Sequence, residues 1–251
     1  MFELESSLAE YVGVKECITC ASGTDALMIP LMAKNIGPGD AVFTTNFSYF
    51  ATTEVISHLG ATPVFIDIDQ NTFNIDPYLL ELSIKKIIEK NNLIPKAIIA
   101  VDIFGQLSNY YEIEKIAKKY NLFLIEDAAQ SFGASYNDKK SCSFGDVAAT
   151  SFYPAKPLGC YGDGGAIFTN DKKIAEISRS IRVHGQGSDK YDNVRVGLNS
   201  RLDTLQAGVL LNKLKIFNEE LIKRQKIANY YSKELVKYLQ VPYIEKNNKS
   251  S

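Results

Sequence analysis

Thr150-Ser-Phe-Tyr-Pro-Ala-Lys-Pro-Leu-Gly-Cys-Tyr-Gly-Asp-Gly-Gly-Ala166 sets one lysine, Lys156, between Pro154 and Pro157 and follows it with Gly159, Gly162, Gly164 and Gly165. Each proline ring locks its own φ and restricts the residue before it, so the backbone around Lys156 is fixed and its ammonium is aimed. The glycines are expected to supply tight turns and to let a ligand approach the backbone closely. Taken alone, the stretch reads equally well as a lysine in a Gly-rich turn, since Gly-Asp-Gly-Gly is common turn chemistry.

Two upstream stretches change that balance. In Asn121-Leu-Phe-Leu-Ile-Glu-Asp-Ala-Ala-Gln-Ser-Phe-Gly-Ala134 an apolar run ends abruptly in Glu126 and Asp127. Such a run reads as a buried parallel strand, and ligands in open α/β sheets bind just beyond strand C-termini, which puts Asp127 where a ligand would be. Ala21-Ser-Gly-Thr-Asp-Ala-Leu27 opens a helix on Gly23 and Thr24, leaving free amides and a positive dipole end suited to a phosphate. Lysine, buried acid and phosphate cradle together describe a pyridoxal phosphate site.

The remainder of the chain fits an α/β frame. A helix is expected from Phe2 to Val12, then strand Lys15–Cys20, helix Gly23–Lys34, strand Ala41–Thr45, a helix to His58 and strand Pro63–Ile68. Helix Tyr78–Glu89 follows Pro77, whose missing N–H costs nothing in a first turn. Strand Ala97–Ile103, helix Tyr110–Lys119, strand Leu122–Glu126, strand Ala166–Thr169 and helix Lys172–Ile181 continue the alternation, before long helical stretches from Asp203 to Tyr238. This pattern predicts a doubly wound sheet with helices on both faces. The polar tail Glu245–Ser251 is expected to fray.

With 251 residues, 45% of them apolar, and a net charge of −1, the chain can bury one good core and has no electrostatic reason to bind nucleic acid or an anionic membrane. Its first residues lack a basic, apolar leader and no run reaches bilayer length, so a cytoplasmic location is expected. Cys17, Cys20, Cys142 and Cys160 are too few and scattered for a disulfide framework. Cys17-x-x-Cys20 has no second pair, and the alternation of Cys-Ile-Thr-Cys fits a strand better than a metal site. Nothing in the sequence suggests a catalytic metal.

Together with Gly197-Leu-Asn-Ser-Arg-Leu-Asp-Thr-Leu-Gln-Ala207, these motifs occur in the order and spacing of the DegT/DnrJ/EryC1/StrS sugar aminotransferases, and the chain resembles that family from about Phe2 to about Asn247. The stretches around Lys156 and Arg201 are most similar to the branch acting on UDP-2-acetamido-2-deoxy-3-oxo-D-glucuronate in bacterial surface polysaccharide (O-antigen) synthesis. The resemblance implies fold type I of the pyridoxal 5'-phosphate enzymes, with a large domain built on a mostly parallel seven-stranded sheet. It places the cofactor-binding large domain at 1–215 and, at 216–251, the start of a connection to a small C-terminal domain. Relatives carry roughly a hundred further residues and an additional N-terminal segment, so the chain is expected to be truncated at both ends.

The roles implied by the resemblance are specific. Lys156 is the Schiff-base lysine and then a proton shuttle, and Asp127 pairs with the pyridine nitrogen. Gln130 lies at the cofactor's edge, Tyr49 stacks on its ring, and Gly23, Thr24 and Ser151 hold its phosphate. Asn199 reaches the phosphate of the partner subunit's site, which implies a homodimer, and Arg201 suits a sugar carboxylate or diphosphate. Asp25 is expected to point away from the phosphate, and Glu54 and Glu126 to support the site from behind. His184 and His58 are read as structural, since Lys156 already supplies the proton shuttle. Glutamate is the expected amino donor and a UDP-linked keto sugar the acceptor. Two other readings stand beside this one. One is a sugar dehydratase, against which Lys156 argues because that branch carries histidine there; the other is an inactive remnant. A nicotinamide-binding site is excluded by the lack of a G-x-G-x-x-G between the first strand and its helix.

Overall fold

The computed structural model describes residues 1–189 and 191–251. Its strands are β1 (Glu16–Cys20), β2 (Asp40–Thr45), β3 (Thr62–Ile66), β4 (Ile94–Val101), β5 (Phe123–Asp127), β6 (Ser135–Tyr136), β7 (Lys139–Lys140), β8 (Val147–Ser151), β9 (Gly165–Thr169) and β10 (Asn248–Lys249). The helices are α1 (Phe2–Val12), α2 (Gly23–Ala33), α3 (Ala51–His58), α4 (Pro77–Lys90), α5 (Tyr110–Tyr120), α6 (Lys172–Ile181) and α7 (Thr204–Leu235). Seven strands form one sheet in the order β1-β9-β8-β5-β4-β2-β3, in which β9 runs against both neighbours and every other pairing is parallel.

The helix boundaries follow from local chemistry. Asp76 caps α4 by accepting from the amides of Tyr78 and Leu79 at 2.8 and 3.1 Å, with Pro77 in the first turn where no donor is needed. Asn91 and Asn121 end α4 and α5 in the left-handed region, at φ 51° and 53°, a conformation asparagine tolerates. Strand alternation then sorts the core. Ile18, Val42, Ile99, Ile125, Ala149 and Ile167 face α2, α3 and α6, whereas Phe43, Ile98, Leu124, Ala148 and Phe168 face the layer of α1, α4, α5 and α7. The same alternation separates Cys17 from Cys20, which pack into opposite cores.

The structure adds one strand to those expected and corrects the reading of the tail. The segment Val147–Ser151, assigned to no element by the sequence pattern, is the buried strand β8 in the middle of the sheet. Its sequence, Val-Ala-Ala-Thr-Ser, hides it from an apolar-run criterion, because it holds one large apolar residue although all five positions are buried. The tail does not fray: Asn248 pairs with Tyr136 in a small β10-β6-β7 sheet, and the Ser251 hydroxyl donates to the Gln130 carbonyl at 2.7 Å. The division expected at 215/216 falls inside α7, one continuous helix of 32 residues.

A buried ion pair closes the β1 end of the sheet. Arg182, just past α6, donates from Nη1 to Glu5 Oε1 of α1 at 2.7 Å and to the Thr19 carbonyl of β1 at 2.8 Å. Thr19 also donates to Glu5 through its amide and hydroxyl, at 2.9 and 2.8 Å. Removing one partner of such a pair leaves the other charge buried without compensation. Arg182→Met is therefore expected to destabilise the fold by about 3–5 kcal/mol in urea unfolding at pH 7; a loss below about 1 kcal/mol would show the pair to be only as strong as a surface contact.

Candidate active site

The C-terminal ends of β4, β5 and β8 and the N-terminus of α2 enclose a cavity of about 530 Å³. Gly23, Thr24, Tyr49, Asp127, Gln130, Ser151 and Lys156 all line it. These seven positions, spread over more than a hundred residues of sequence, converge because parallel strands deliver their C-terminal residues to one edge of the sheet.

Asp127 ends β5 and is 4% exposed. Thr52 Oγ1 donates to its Oδ2 at 2.8 Å, and the Ala129 amide donates to Oδ1 at 3.2 Å. Ser48 lies 2.9 Å from the Thr52 hydroxyl, and since that hydroxyl's proton goes to Asp127, Ser48 is the donor in this second contact. Burial pushes the Asp127 carboxyl up from its ordinary value, and the Thr52 and Ala129 donors and the Lys156 charge pull it back. Lys156 is half-buried; desolvation lowers its ammonium below the ordinary lysine value while the Asp127 charge opposes that shift. A lysine so placed gives up its proton more readily than one in water, and this is what a nucleophilic amine needs.

The loop carrying Lys156 is built from both ends. Ser151 and Gly165 are partners in the β8–β9 pairing, and the Phe152 amide donates to the Gly164 carbonyl at 2.7 Å. Within the loop the Lys156 amide donates to the Tyr153 carbonyl at 2.9 Å, and Cys160 donates its amide and thiol to the Phe152 carbonyl at 2.7 and 3.0 Å. Helix α7 holds the outer side: Gln206 accepts from the Tyr161 amide at 2.8 Å, Lys213 donates to the Gly159 carbonyl, and Arg224 donates to the Pro157 carbonyl at 3.5 Å.

None of the four glycines after Lys156 has a positive φ, and Gly164 lines the cavity. A Cβ at Gly165 would come within 2.3 Å of the Ser22 carbonyl, and one at Gly159 within 2.5 Å of the Pro154 carbonyl. At these two positions the missing side chain lets protein segments meet.

Whether these residues fit pyridoxal phosphate is decided at α2. Ser22 caps the helix by accepting from the Asp25 amide at 3.1 Å. A Cβ at Gly23 would lie 2.6 Å from Ser151 Cβ, so glycine alone lets the helix N-terminus rest on that serine and brings amides and hydroxyl to one point. Asp25 is drawn away, its Oδ2 accepting from the Ser200 hydroxyl at 2.6 Å, which keeps its charge off the anion-binding end. With an anion cradle, a desolvated amine, a buried acid and the 74% exposed ring of Tyr49 around one cavity, the residues fit the cofactor.

Asn199 and Arg201 are not brought to this cavity. They line a separate one of about 560 Å³ with Met1, Arg182 and Thr204, where Arg201 Nε donates to Asn199 Oδ1 at 3.2 Å. His184 is exposed and lies outside both linings, and His58 is exposed in the last turn of α3. The sequence reading missed Ser22, Ser48, Thr52, Tyr153 and Asp163, which also line the main cavity. Thr52 had a signal, standing three residues after Tyr49 and therefore on the same side of a helical turn.

The sequence pattern of the DegT/DnrJ/EryC1/StrS aminotransferase family matches residues 1–251. The chain is similar to UDP-2-acetamido-2-deoxy-3-oxo-D-glucuronate aminotransferase of Pseudomonas aeruginosa, 54% identical over 247 residues, which covers 98% of this chain and 67% of that one. It superposes on a DegT DnrJ EryC1 StrS aminotransferase from Brucella abortus with a TM-score of 0.98 and 51% identity, covering 99% of this chain and 67% of that one. DesV of S. venezuelae, solved in complex with a ketimine intermediate, superposes with a TM-score of 0.93 at 33% identity, over 99% of this chain and 66% of that one. Fold, cavity and sequence agree: the chain belongs to the DegT/DnrJ/EryC1/StrS aminotransferase family.

Proposed function

We propose that this chain is the cofactor-binding part of an aminotransferase that uses pyridoxal 5'-phosphate to move an amino group from glutamate to a nucleotide-linked keto sugar. UDP-2-acetamido-2-deoxy-3-oxo-D-glucuronate is the preferred acceptor and bacterial surface polysaccharide (O-antigen) synthesis the setting, with the enzyme acting in the cytoplasm as a homodimer. The observation that carries the reading is the convergence of Lys156 and Asp127 on one cavity whose anion-binding wall is the N-terminus of α2. The similarity to the P. aeruginosa aminotransferase supports the choice of sugar.

The cofactor supplies an aldehyde for amine capture and an electron-accepting ring. The rest falls to the chain. Asp127, which accepts from Thr52 and Ala129, would hold a proton on the ring nitrogen and so make that ring a stronger electron acceptor. Among the residues lining the cavity, Gly23, Thr24 and Ser151 would bind the phosphate, Tyr49 would cover the ring and Gln130 would stand beside it. Lys156 Nζ, desolvated and held by a loop tied to both β8 and α7, carries the proton to and from the reacting carbon. Asn199 completes the partner subunit's phosphate site, in keeping with its place outside the cavity of its own chain, and Arg201 beside it takes the acidic sugar.

The test is optical. Pyridoxal phosphate added to the purified chain should give a visible absorption band that glutamate bleaches, and borohydride reduction should fix the cofactor on the peptide containing Lys156. Lys156→Ala should lose the band and the label while keeping its circular dichroism; a reducible bond persisting in that variant would sink the assignment, and no band in the unmodified chain would favour a non-catalytic remnant. Thr52→Val removes a charge-assisted hydrogen bond of about 1.5–3 kcal/mol, so cofactor affinity should fall about 10- to 100-fold in equilibrium dialysis. Undiminished affinity would show that the Thr52 hydroxyl does not bear on the bound ring.

A further inference from the structure

Behind Asp127, the sheet buries two more acids that the chemistry above leaves idle. Asp102, at the end of β4, and Glu126, on β5, are each 0% exposed. No ion pair of the described residues includes either. Two serine hydroxyls join them: Asp102 Oδ2 is 2.8 Å from Ser131 Oγ, Ser131 Oγ is 2.8 Å from Ser141 Oγ, and Ser141 Oγ is 3.0 Å from Glu126 Oε1.

The protons can be counted. Three oxygen-to-oxygen contacts of hydrogen-bond length need three hydrogens, and two hydroxyls supply two. If both acids were ionised, one contact would set lone pairs against each other in a water-free interior. The other partners are balanced. Glu126 receives the Cys142 amide on Oε1 at 2.7 Å and the Phe144 amide on Oε2 at 2.9 Å, and Asp102 receives the Ser108 amide and the Tyr110 hydroxyl on Oδ1, at 2.8 and 3.1 Å, so each acid has two donors besides its serine. A hydrogen on either carboxyl completes the chain of Asp102, Ser131, Ser141 and Glu126, with the other acid as the carboxylate.

We propose that Asp102, Ser131, Ser141 and Glu126 form a buried wire that holds one proton shared between the two acids, and that these acids act as positioning residues for Asp127. Glu126 precedes Asp127 on β5, and the Asp102 amide donates to the Asp127 carbonyl at 3.2 Å, so the wire locks the strand ends on which Asp127 sits. The stored proton also leaves one negative charge in the pair instead of two beside Asp127. The titratable groups facing the wire are Tyr110 of α5, Asp127 of β5 and Cys142 in the turn after β7, with Cys17 of β1 acting on Cys142. Burial raises the carboxyls of both acids, that of Asp102 from 3.8 to about 7 and that of Glu126 from 4.5 to about 8.

The sign of the linkage follows. Between pH 5 and 7 the folded chain keeps a proton that the unfolded chain has lost, so stability falls as pH rises through this window. In Asp102→Asn the amide supplies the third hydrogen permanently, and the wire no longer titrates. Urea unfolding of wild type and Asp102→Asn at pH 5, 6 and 7 should show the wild-type unfolding constant rising relative to the variant's by about tenfold per pH unit, the signature of one proton. Parallel profiles would overturn the inference. Infrared spectra at pH 6.5 should show a protonated-carboxyl band in Asp127→Asn that vanishes in the Asp102→Asn, Asp127→Asn double variant; a single variant without that band would equally overturn it. Neither measurement uses the cofactor, so its outcome is separate from that of the optical test.

Discussion

The site depends first on the antiparallel pairing of β8 with β9. Five residue pairs, from Val147 with Thr169 to Ser151 with Gly165, bring the chain back beside itself after the lysine loop. A parallel neighbour would have required a long crossover, and the loop would then have ended on the far edge of the sheet. Because β9 is reversed, the loop leaves and re-enters at the same edge, over the C-terminal ends of the strands that carry Asp127 and Ser151. The tight contact of Gly165 with the Ser22 carbonyl then docks the start of α2 on that hairpin, which places the anion-binding amides beside Ser151. Pairing, docking and cavity are one construction.

Electrostatics acts within this frame. Lys156 and Asp127 are both partly or wholly withdrawn from water, and withdrawal shifts each toward its neutral form. The two shifts are opposed in different measure. The lysine is lowered against the Asp127 charge alone, whereas the acid is raised against the donors Thr52 and Ala129 as well as the Lys156 charge.

Much of this was legible in the sequence, and the failures have physical causes. Lys156 and Asp127 could be found because prolines around a lysine and acids ending an apolar run are local signals. The β-strand holding Ser151 gave no such signal, since Val-Ala-Ala-Thr-Ser contains one large apolar residue although all five positions are buried. For Gly159 and Gly165, sequence reports that a side chain is missing, and only packing tells that the absent Cβ would strike a carbonyl. Asn199 and Arg201 show the same limit from the other side, for a motif can name residues without telling which cavity they line. Thr52 reaches Asp127 across 75 positions of sequence, a distance no local pattern spans.

Helix α7 has one more consequence. Its 32 residues make a rod about 48 Å long at about 1.5 Å per residue. Gln206, Lys213 and Arg224 grip the lysine loop along its first two thirds, whereas Ile227, Tyr230 and Tyr231 farther along are exposed. Three backbone groups of the loop, at Tyr161, Gly159 and Pro157, are thus referred to one rigid element, and the spacing of the loop relative to β8 is set twice, once by the sheet and once by this helix.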